Sequence, residues 1–379
     1  MIKDALIVMP FILPWDWSAD YQKQTCLALA KNNQIIVYLQ KNAQFFLKKI
    51  FNKPRPKYPQ IKNIHFYAPT YYIPGKRFKF IDKLNQIIAF KFFVWKFKLR
   101  KFVLWIFDPM FYFYSEIVNC QTIYDCVDYH WHANKDSESK IRINEKRLIE
   151  TVDKFIVNSK ILARLHSRLR KPHLIAPQGF RIQDFQNPQP SKVIFPKTKP
   201  IIGLVGALDY RLDFELLFKL IKNNPQWRFV LWGPVQKDPQ DFSVNTAKNI
   251  RKLFEFPNVT KGLSKNRKEI PAIIKQFDIA IIPYDISQLF SRYCYPMKLF
   301  EYFYMGKPVV STPIEELKRF PKFVKIGNSP KQWEQHIKKL LAKPWPKSYK
   351  KIQRRLAEKN SWQKKIEAIS QLFETHSKK

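Results

Sequence analysis

The stretch Tyr293-Cys-Tyr-Pro-Met-Lys-Leu-Phe-Glu-Tyr-Phe-Tyr-Met-Gly-Lys-Pro-Val-Val-Ser-Thr312 contains a helix start, a helix, a helix stop and a buried strand. Pro296 suits the first helical position, where a missing N–H costs nothing, and Gly306 suits the residue after the last turn. Because Pro308 prevents continuation, the pattern predicts a helix of about ten residues. A strand is expected to begin at Val309, and a helix leading into a strand is typical of an α/β fold.

Lys298 and Glu301 are three residues apart and therefore share one face of this helix. Leu299, Phe300 and Phe303 supply an apolar stripe that can pack on a sheet. Free N–H groups and an ammonium suit the phosphates of a nucleoside diphosphate, while a carboxylate can accept hydrogen bonds from ribose hydroxyls. The alternative is an exposed Lys/Glu pair on an ordinary surface helix.

The run from Pro296 to Val310 resembles the donor-site motif of GT-B glycosyltransferases, in particular the retaining branch called group 1 or family 4. The resemblance implies that Glu301 binds the ribose of a nucleotide sugar. It implies a donor site that also includes Gly206, Gly233, Leu263, Tyr293, Pro296, Met297, Lys298 and Leu299. Tyr293 stands where the family usually has an acidic residue that contacts the donor sugar, so the identity of the sugar stays open.

The second half of the chain repeats a strand and helix alternation. The strand that begins at Ile201 ends at Gly206, and the strand Trp227–Trp232 ends at Gly233; glycine lets a backbone approach a ligand closely. The resemblance places the diphosphate against the first of these turns, with Arg211 and Lys298 as the cations that stabilise the leaving group. Ala207 stands where the family often has an arginine.

The first half also alternates short apolar runs with helical patterns, which indicates βαβ units on a parallel sheet. Its first strand, predicted at Ala5–Met9, leads into a loop that contains Trp15, Asp16 and Trp17. These three residues are candidates for the wall of an acceptor pocket, because open α/β sheets bind ligands at the carboxyl ends of their strands. The alternative is that the aromatic side chains only pack the loop.

A second group of candidates follows the apolar run that begins at Gln121. Asp128 and His130 come at its carboxyl end, where titratable groups are candidates for an active site. The residues resemble a family pattern that precedes a helix, which implies a catalytic role for His130 and Asp128 on the acceptor side. The alternative is a turn-forming Asp128 and a histidine on the rim.

The composition excludes several classes of protein. A chain of 379 residues is long enough for two domains, and a hydrophobic content of 45% predicts a folded protein. The apolar runs are shorter than the roughly 20 residues of a membrane span. The formal charge of +38 attracts polyanions, but no nucleic-acid-binding motif is present. The four cysteines lack metal-ligand spacing, so we expect no metal and no cofactor besides the donor substrate.

The segment from Phe78 to Lys101 is a long helical pattern that is both basic and aromatic. Phe and Trp side chains enter the headgroup boundary of a bilayer, and lysine is attracted to anionic lipid. The segment therefore indicates an anionic membrane surface as a partner. The alternative is a helix that covers the sheet while its lysines extend to water.

These observations predict a GT-B fold, with two Rossmann-like domains that face each other across a cleft and a C-terminal helix that crosses back to the first domain. The predicted domains are 1–185 for the acceptor, a proline-rich linker at 186–200, 201–345 for the nucleotide sugar, and C-terminal helices at 346–379 that pack on the first domain. The expected function is metal-independent, retaining transfer of a sugar to a saccharide or lipid-linked acceptor, in the cytoplasm at the inner membrane face. The alternatives are a GT-B nucleotide-sugar epimerase and a catalytically degenerate basic binding protein.

Overall fold

The computed structural model describes residues 4–11, 15, 21–40, 43–45, 58–74, 77–130, 135–235, 244–264 and 266–374. The chain divides into two compact units. The first unit comprises Met1–Pro177 together with Lys365–Lys379, and the second comprises Gln178–Lys364. Each unit is built on its own parallel β-sheet, as the alternation of strand and helix patterns predicts.

The sheet of the first unit has seven strands in the order β4-β2-β1-β6-β7-β8-β9. A separate pair of short strands is formed by β3 and β5. The strands are β1 Leu6–Phe11, β2 Gln34–Leu39, β3 Gln44–Phe45, β4 Ile64–Tyr67, β5 Thr70–Tyr71, β6 Val103–Ile106, β7 Gln121–Cys126, β8 Lys154–Val157 and β9 Leu174–Ile175. The central strands β1, β6 and β8 are almost wholly buried, which explains their largely apolar sequences. Strand β7 is also buried after Gln121, although it contains Thr122 and Asp125.

The sheet of the second unit has six parallel strands in the order β12-β11-β10-β13-β14-β15. They are β10 Ile201–Val205, β11 Arg228–Trp232, β12 Val259–Gly262, β13 Ile279–Ile282, β14 Val309–Ser311 and β15 Val324–Ile326. The order of the strands reverses between β10 and β13. In open α/β sheets, ligands bind at the carboxyl ends of the strands where such a reversal occurs, so the ends of β10 and β13 mark the candidate site.

Helices connect the strands in both units. They are α1 Tyr21–Leu29, α2 Lys79–Lys96, α3 Tyr112–Ile117, α4 Lys135–Thr151, α5 Lys160–His166, α6 Ile182–Gln186, α7 Phe214–Asn223, α8 Val244–Leu253, α9 Ile270–Lys275, α10 Leu289–Tyr293, α11 Lys298–Tyr304, α12 Pro330–Leu341, α13 Lys347–Lys359 and α14 Trp362–Glu374. None of the helices in the described part of the chain is long and apolar enough to cross a bilayer.

Helix α11 is shorter than the sequence predicts. It begins at Lys298 and has seven residues, so Pro296 precedes the helix instead of occupying its first position. The first turn is closed by bonds from the N–H of Leu299 to the carbonyl of Pro296 and from the N–H of Phe300 to the carbonyl of Met297. Gly306 follows the helix at φ +63°, a left-handed conformation that favours glycine, as the sequence predicts.

The C-terminal segment divides between the two units. Arg354 Nη2 donates to Tyr304 Oη at 2.7 Å and Gln353 Nε2 donates to the carbonyl of Lys307 at 2.7 Å, so α13 packs beside α11 in the second unit. The sequence assigned all of 346–379 to the first domain, but the first unit resumes only at Lys365. The proposed linker, 186–200, lies within the second unit, where Phe195 is buried.

Candidate functional site

Two glycines bring the carboxyl ends of β10 and β11 close together. Gly206 has φ +115°, and its N–H donates to the carbonyl of Trp232 at 3.0 Å. A Cβ atom on Gly233 would lie 2.0 Å from the carbonyl oxygen of Gly206, which no side chain can accommodate. The glycines therefore permit a tight backbone turn directly after β10.

The ammonium of Lys298 lies against this turn. A Cβ atom on Gly206 would be 3.2 Å from Lys298 Nζ, and the same Nζ lies 5.0 Å from the centroid of the Tyr284 ring. The Nζ atom is buried and has no hydrogen-bond partner among the described residues. A buried cation without a hydrogen bond is costly, so the site offers a positive charge to an anion at the Gly206 turn.

The amides of α11 contribute less than the sequence suggested. Because the N–H groups of Leu299 and Phe300 already bond to carbonyls of the preceding turn, they do not point to a ligand. The expectation that helix amides share the phosphate charge with Lys298 is therefore wrong for these two groups. The positive charge at this point of the site comes from the side chain of Lys298.

Arg211 reaches the same aromatic ring, but its charge is shared with a carboxylate. Arg211 Nη2 lies 2.5 Å from Asp209 Oδ2, and Nε donates to Asp209 Oδ1 at 2.9 Å. The Arg211 guanidinium carbon is 5.5 Å from the centroid of Tyr284. Lys298 and Arg211 thus converge on one ring, and Arg211 brings a partner that offsets its charge.

Glu301 is held by an ion pair. Arg267 Nη2 donates to Glu301 Oε1 at 2.5 Å, and Arg267 Nε lies 3.6 Å from Asp184 Oδ2. The carboxylates of Glu301 and Asp184 are almost buried, whereas the Arg267 side chain is 40% exposed. Arg267 therefore bridges two carboxylates and fixes the orientation of Glu301 at its Oε1 atom.

The remaining predicted donor residues differ in accessibility. Leu263 follows β12 and is 59% exposed, Tyr293 is half-buried at the end of α10, and Met297 is half-buried before α11. Pro296 is buried, and Leu299 is wholly buried in the core. The Leu299 side chain therefore packs in the core instead of contacting a ligand.

Sequence reasoning missed two residues of this arrangement. Tyr284 comes two residues after β13, at the strand reversal, and its position after an apolar run is a signal that could have identified it. Arg267 lies in a short 3₁₀ segment, Arg267–Glu269, and its sequence context carries no comparable signal.

In the first unit, Asp128 and His130 follow β7 as predicted and are half-buried. Beneath them, Cys126 Sγ lies 3.6 Å from Glu145 Oε1 and 3.8 Å from His166 Nε2. Burial, reinforced by the charge of nearby His130, lowers the pKa of His166 to about 4. The sequence separation of these residues gave no sign of this buried polar cluster.

Of the three predicted acceptor-side residues, Trp15 is the one that the structure describes, and it follows β1. Trp15 is buried and stacks on Phe11, with a centroid separation of 5.9 Å, and it meets the edge of Phe66 at 4.8 Å. The side chain of Trp15 thus packs the loop. Asp16 and Trp17 lie outside the described residues.

Comparisons with known proteins identify the family and the fold. Residues 199–343 match the model of the family described as glycosyl transferases group 1. The chain is a glycosyltransferase with a group 1 domain. This glycosyltransferase is 27% identical over 282 residues to the protein of Bacillus subtilis (strain 168) named as the teichuronic acid biosynthesis glycosyltransferase TuaH, covering 68% of each chain.

Solved structures show that the glycosyltransferase has the GT-B fold. Sucrose-phosphate synthase from Thermosynechococcus elongatus matches with a TM-score of 0.75 and 16% identity, over 98% of each chain. Anabaena HepE in complex with UDP matches with a TM-score of 0.68 and 12% identity, over 98% of the glycosyltransferase and 100% of HepE. The GT-B fold class and the group 1 assignment of residues 199–343 are confirmed, and the retaining family 4 assignment stays a prediction.

Proposed function

We propose that this glycosyltransferase transfers a sugar from a nucleoside-diphosphate sugar to a saccharide or lipid-linked acceptor at the cytoplasmic face of the membrane. The transfer would retain the anomeric configuration, as the resemblance to family 4 implies, and would not require a metal ion. The observation that carries the proposal is the buried Lys298 ammonium, which lies against the Gly206 turn and has no hydrogen-bond partner in the part of the chain that the structure describes.

The proposed diphosphate lies at the Gly206 turn. There the Lys298 ammonium would donate hydrogen bonds to a phosphate oxygen and stabilise the negative charge that builds up as the diphosphate leaves. Arg211, with its charge shared with Asp209, would orient the phosphates. This arrangement supplies positive charge from a side chain at the position where a metal ion could otherwise supply it.

The proposed ribose lies beside Glu301. Arg267 binds Oε1 of that carboxylate, so Oε2 is the oxygen proposed to accept from the ribose hydroxyls. Among the structural neighbours, HepE has been solved in complex with UDP and in complex with UDP and glucose. A uridine donor is therefore the first one to test.

In the reaction, the bond from the anomeric carbon to the diphosphate oxygen breaks and the diphosphate leaves with the electron pair. The acceptor oxygen forms the new bond to the anomeric carbon and loses its proton. We assign Asp128 and His130, which follow β7 of the first unit, to the acceptor side. The name of TuaH supports a cell-surface polysaccharide or glycolipid as the product.

A thermal-shift screen of UDP, GDP, ADP and their sugar conjugates tests the donor site, because a ligand that binds only the folded state raises the midpoint. One nucleotide should raise the midpoint, and the rise should be lost in Glu301→Ala. Glu150→Ala is the matched control, since Glu150 pairs with Lys146 on the surface of α4 in the first unit. An equal shift in wild type and Glu301→Ala would refute the assignment of Glu301.

A further inference from the structure

Helix α2 presents an apolar surface to solvent. Seven of the sixteen exposed large hydrophobic residues in the described chain lie between residues 72 and 97. We define the aromatic ridge as Tyr72, Phe80, Ile88, Phe92 and Trp95. Phe80 is 78% exposed and Trp95 is 73% exposed. Side chains this exposed add little to the core of the first unit, so packing within the chain does not explain them.

The helical members of the aromatic ridge share one side of α2. At 3.6 residues per turn, Phe80, Ile88, Phe92 and Trp95 fall within about 120° of the helix circumference. The opposite side is buried in the first unit through Ala89, Phe90, Phe93 and two polar residues. The helix is thus apolar on both sides, although only one side is needed for the core.

Aromatic contacts make the ridge continuous. The rings of Phe92 and Trp95 lie 5.6 Å apart, and the edge of Tyr72 meets Phe92 at 6.2 Å. Phe78 and Phe97, at 55% and 47% exposure, extend the apolar surface beyond the two ends of α2. A contiguous exposed apolar surface of this kind marks a site of interaction.

The charge around the ridge identifies the partner. Residues 77–101 contain eight lysines and arginines and one acidic residue, Asp82. Lys91, Lys96 and Lys98 are exposed. Aromatic side chains at the level of the headgroups, flanked by cations, are typical of helices that lie in the plane of an anionic membrane.

We propose that the aromatic ridge is the surface through which the chain binds an anionic lipid bilayer. Phe80 and Trp95 enter the boundary between headgroups and acyl chains, and the flanking lysines contact the headgroups. The proposal deepens the membrane-face part of the proposed function and does not depend on the donor site, so each can fail separately.

Flotation of the full chain with vesicles tests the proposal. Wild type should float with vesicles of phosphatidylcholine and phosphatidylglycerol and much less with phosphatidylcholine alone. Phe80→Ser with Trp95→Ser should reduce the bound fraction at least tenfold. Ile194→Ser is the matched control because Ile194 is 81% exposed and lies outside the ridge.

The overall charge of +38 requires a second control, because any strongly basic protein is attracted to anionic vesicles. We compare two triple variants: one on the ridge, with Lys91→Glu, Lys96→Glu and Lys98→Glu, and one outside it, with Lys331→Glu, Lys338→Glu and Lys339→Glu. The ridge variant should bind the vesicles far more weakly than the other, since each lysine at the membrane surface raises the affinity about fivefold. Equal losses in both triple variants, or unchanged flotation of the Phe80/Trp95 variant, would overturn the proposal. If the Phe80/Trp95 variant loses self-association but still binds vesicles like wild type, the ridge binds a second copy of the chain. That result would also overturn the proposal.

UDP-induced thermal shifts separate this result from the donor site. The ridge variants should keep the wild-type thermal midpoint, because the substituted side chains face solvent, and should keep the UDP-induced shift. Glu301→Ala should float like wild type. If the ridge variants lose the UDP shift as well, their loss of flotation reflects general damage and the proposed surface is refuted.

Discussion

Replacement of Lys298 by methionine should have opposite effects on stability and on ligand binding. The Lys298 ammonium is buried and none of the described residues forms a hydrogen bond with it, which costs about 1–3 kcal/mol. Its contact with the Tyr284 ring returns about 0.5–2 kcal/mol. Methionine fills a similar volume without charge, so Lys298→Met should raise the free energy of unfolding by about 1 kcal/mol.

The same substitution should weaken nucleoside-diphosphate binding. A hydrogen bond to a charged group contributes about 1.5–3 kcal/mol, which corresponds to a loss of affinity of roughly 10- to 100-fold. Thermal unfolding measures the first effect, and titration calorimetry with the nucleotide that gives the strongest thermal shift measures the second. A gain of about 1 kcal/mol corresponds to a rise in midpoint of about 2–4 °C for a unit of this size.

Lys307→Met is the matched control. Lys307 Nζ donates to the carbonyls of Lys275 and Phe277, at 2.8 and 2.5 Å, so its removal should destabilise the protein and leave nucleotide affinity unchanged. The reasoning would be refuted if Lys298→Met lowered the midpoint and kept the wild-type affinity. That result would mean that the Lys298 ammonium is a structural cation.

Three further outcomes are expected. Arg267→Ala should raise the dissociation constant of the nucleotide about tenfold, because Arg267 orients Glu301, and Arg267→Lys should restore part of the affinity. Calorimetry that gives equal affinities for both variants and wild type would exclude this positioning role. Gly233→Ala should lower both the thermal midpoint and nucleotide affinity, since its Cβ would clash with the Gly206 carbonyl, and an unchanged midpoint would contradict that geometry. His166 has a folded pKa of about 4 against an ordinary value of 6.5, so the unfolded state binds more protons between these values and stability is lost as pH falls. Urea unfolding should show a loss from pH 7 to pH 5 that is about 2 kcal/mol larger in wild type than in His166→Gln, and equal losses would indicate that His166 titrates normally.

The parallel sheets could be predicted from the sequence because their buried strands are short apolar runs separated by helical patterns. The predicted strand boundaries lie within two residues of those observed, as for β10 and β11. The first turns of α4, from Lys135 onward, are polar and carry little apolar periodicity, so the sequence gives no clear signal for the start of this helix. Local patterns thus predict the elements better than their ends.

The candidate site could be predicted only where its residues lie close together in sequence. Lys298 and Glu301 share one helix, so their spacing placed them on a common face. Arg267 pairs with both Glu301 and Asp184 through tertiary packing, over separations that no local pattern encodes. The partner that offsets the charge of Arg211 is only two residues away, but its pairing depends on the conformation of the turn.

The buried position of Lys365 has a consequence for how the protein is made. Its Nζ lies 3.4 Å from Asp125 Oδ1 and 4.4 Å from the centroid of Tyr21, and all three residues are buried in the first unit. Domains generally fold in order from the N-terminus during synthesis. Here Asp125 has its lysine partner only after almost the whole chain has left the ribosome, so the unit translated first is completed last. Until then, the second unit can form its core while the first unit still lacks the buried cation that pairs with Asp125. A chain truncated before Lys365 should therefore have an incompletely folded first unit that depends on chaperones.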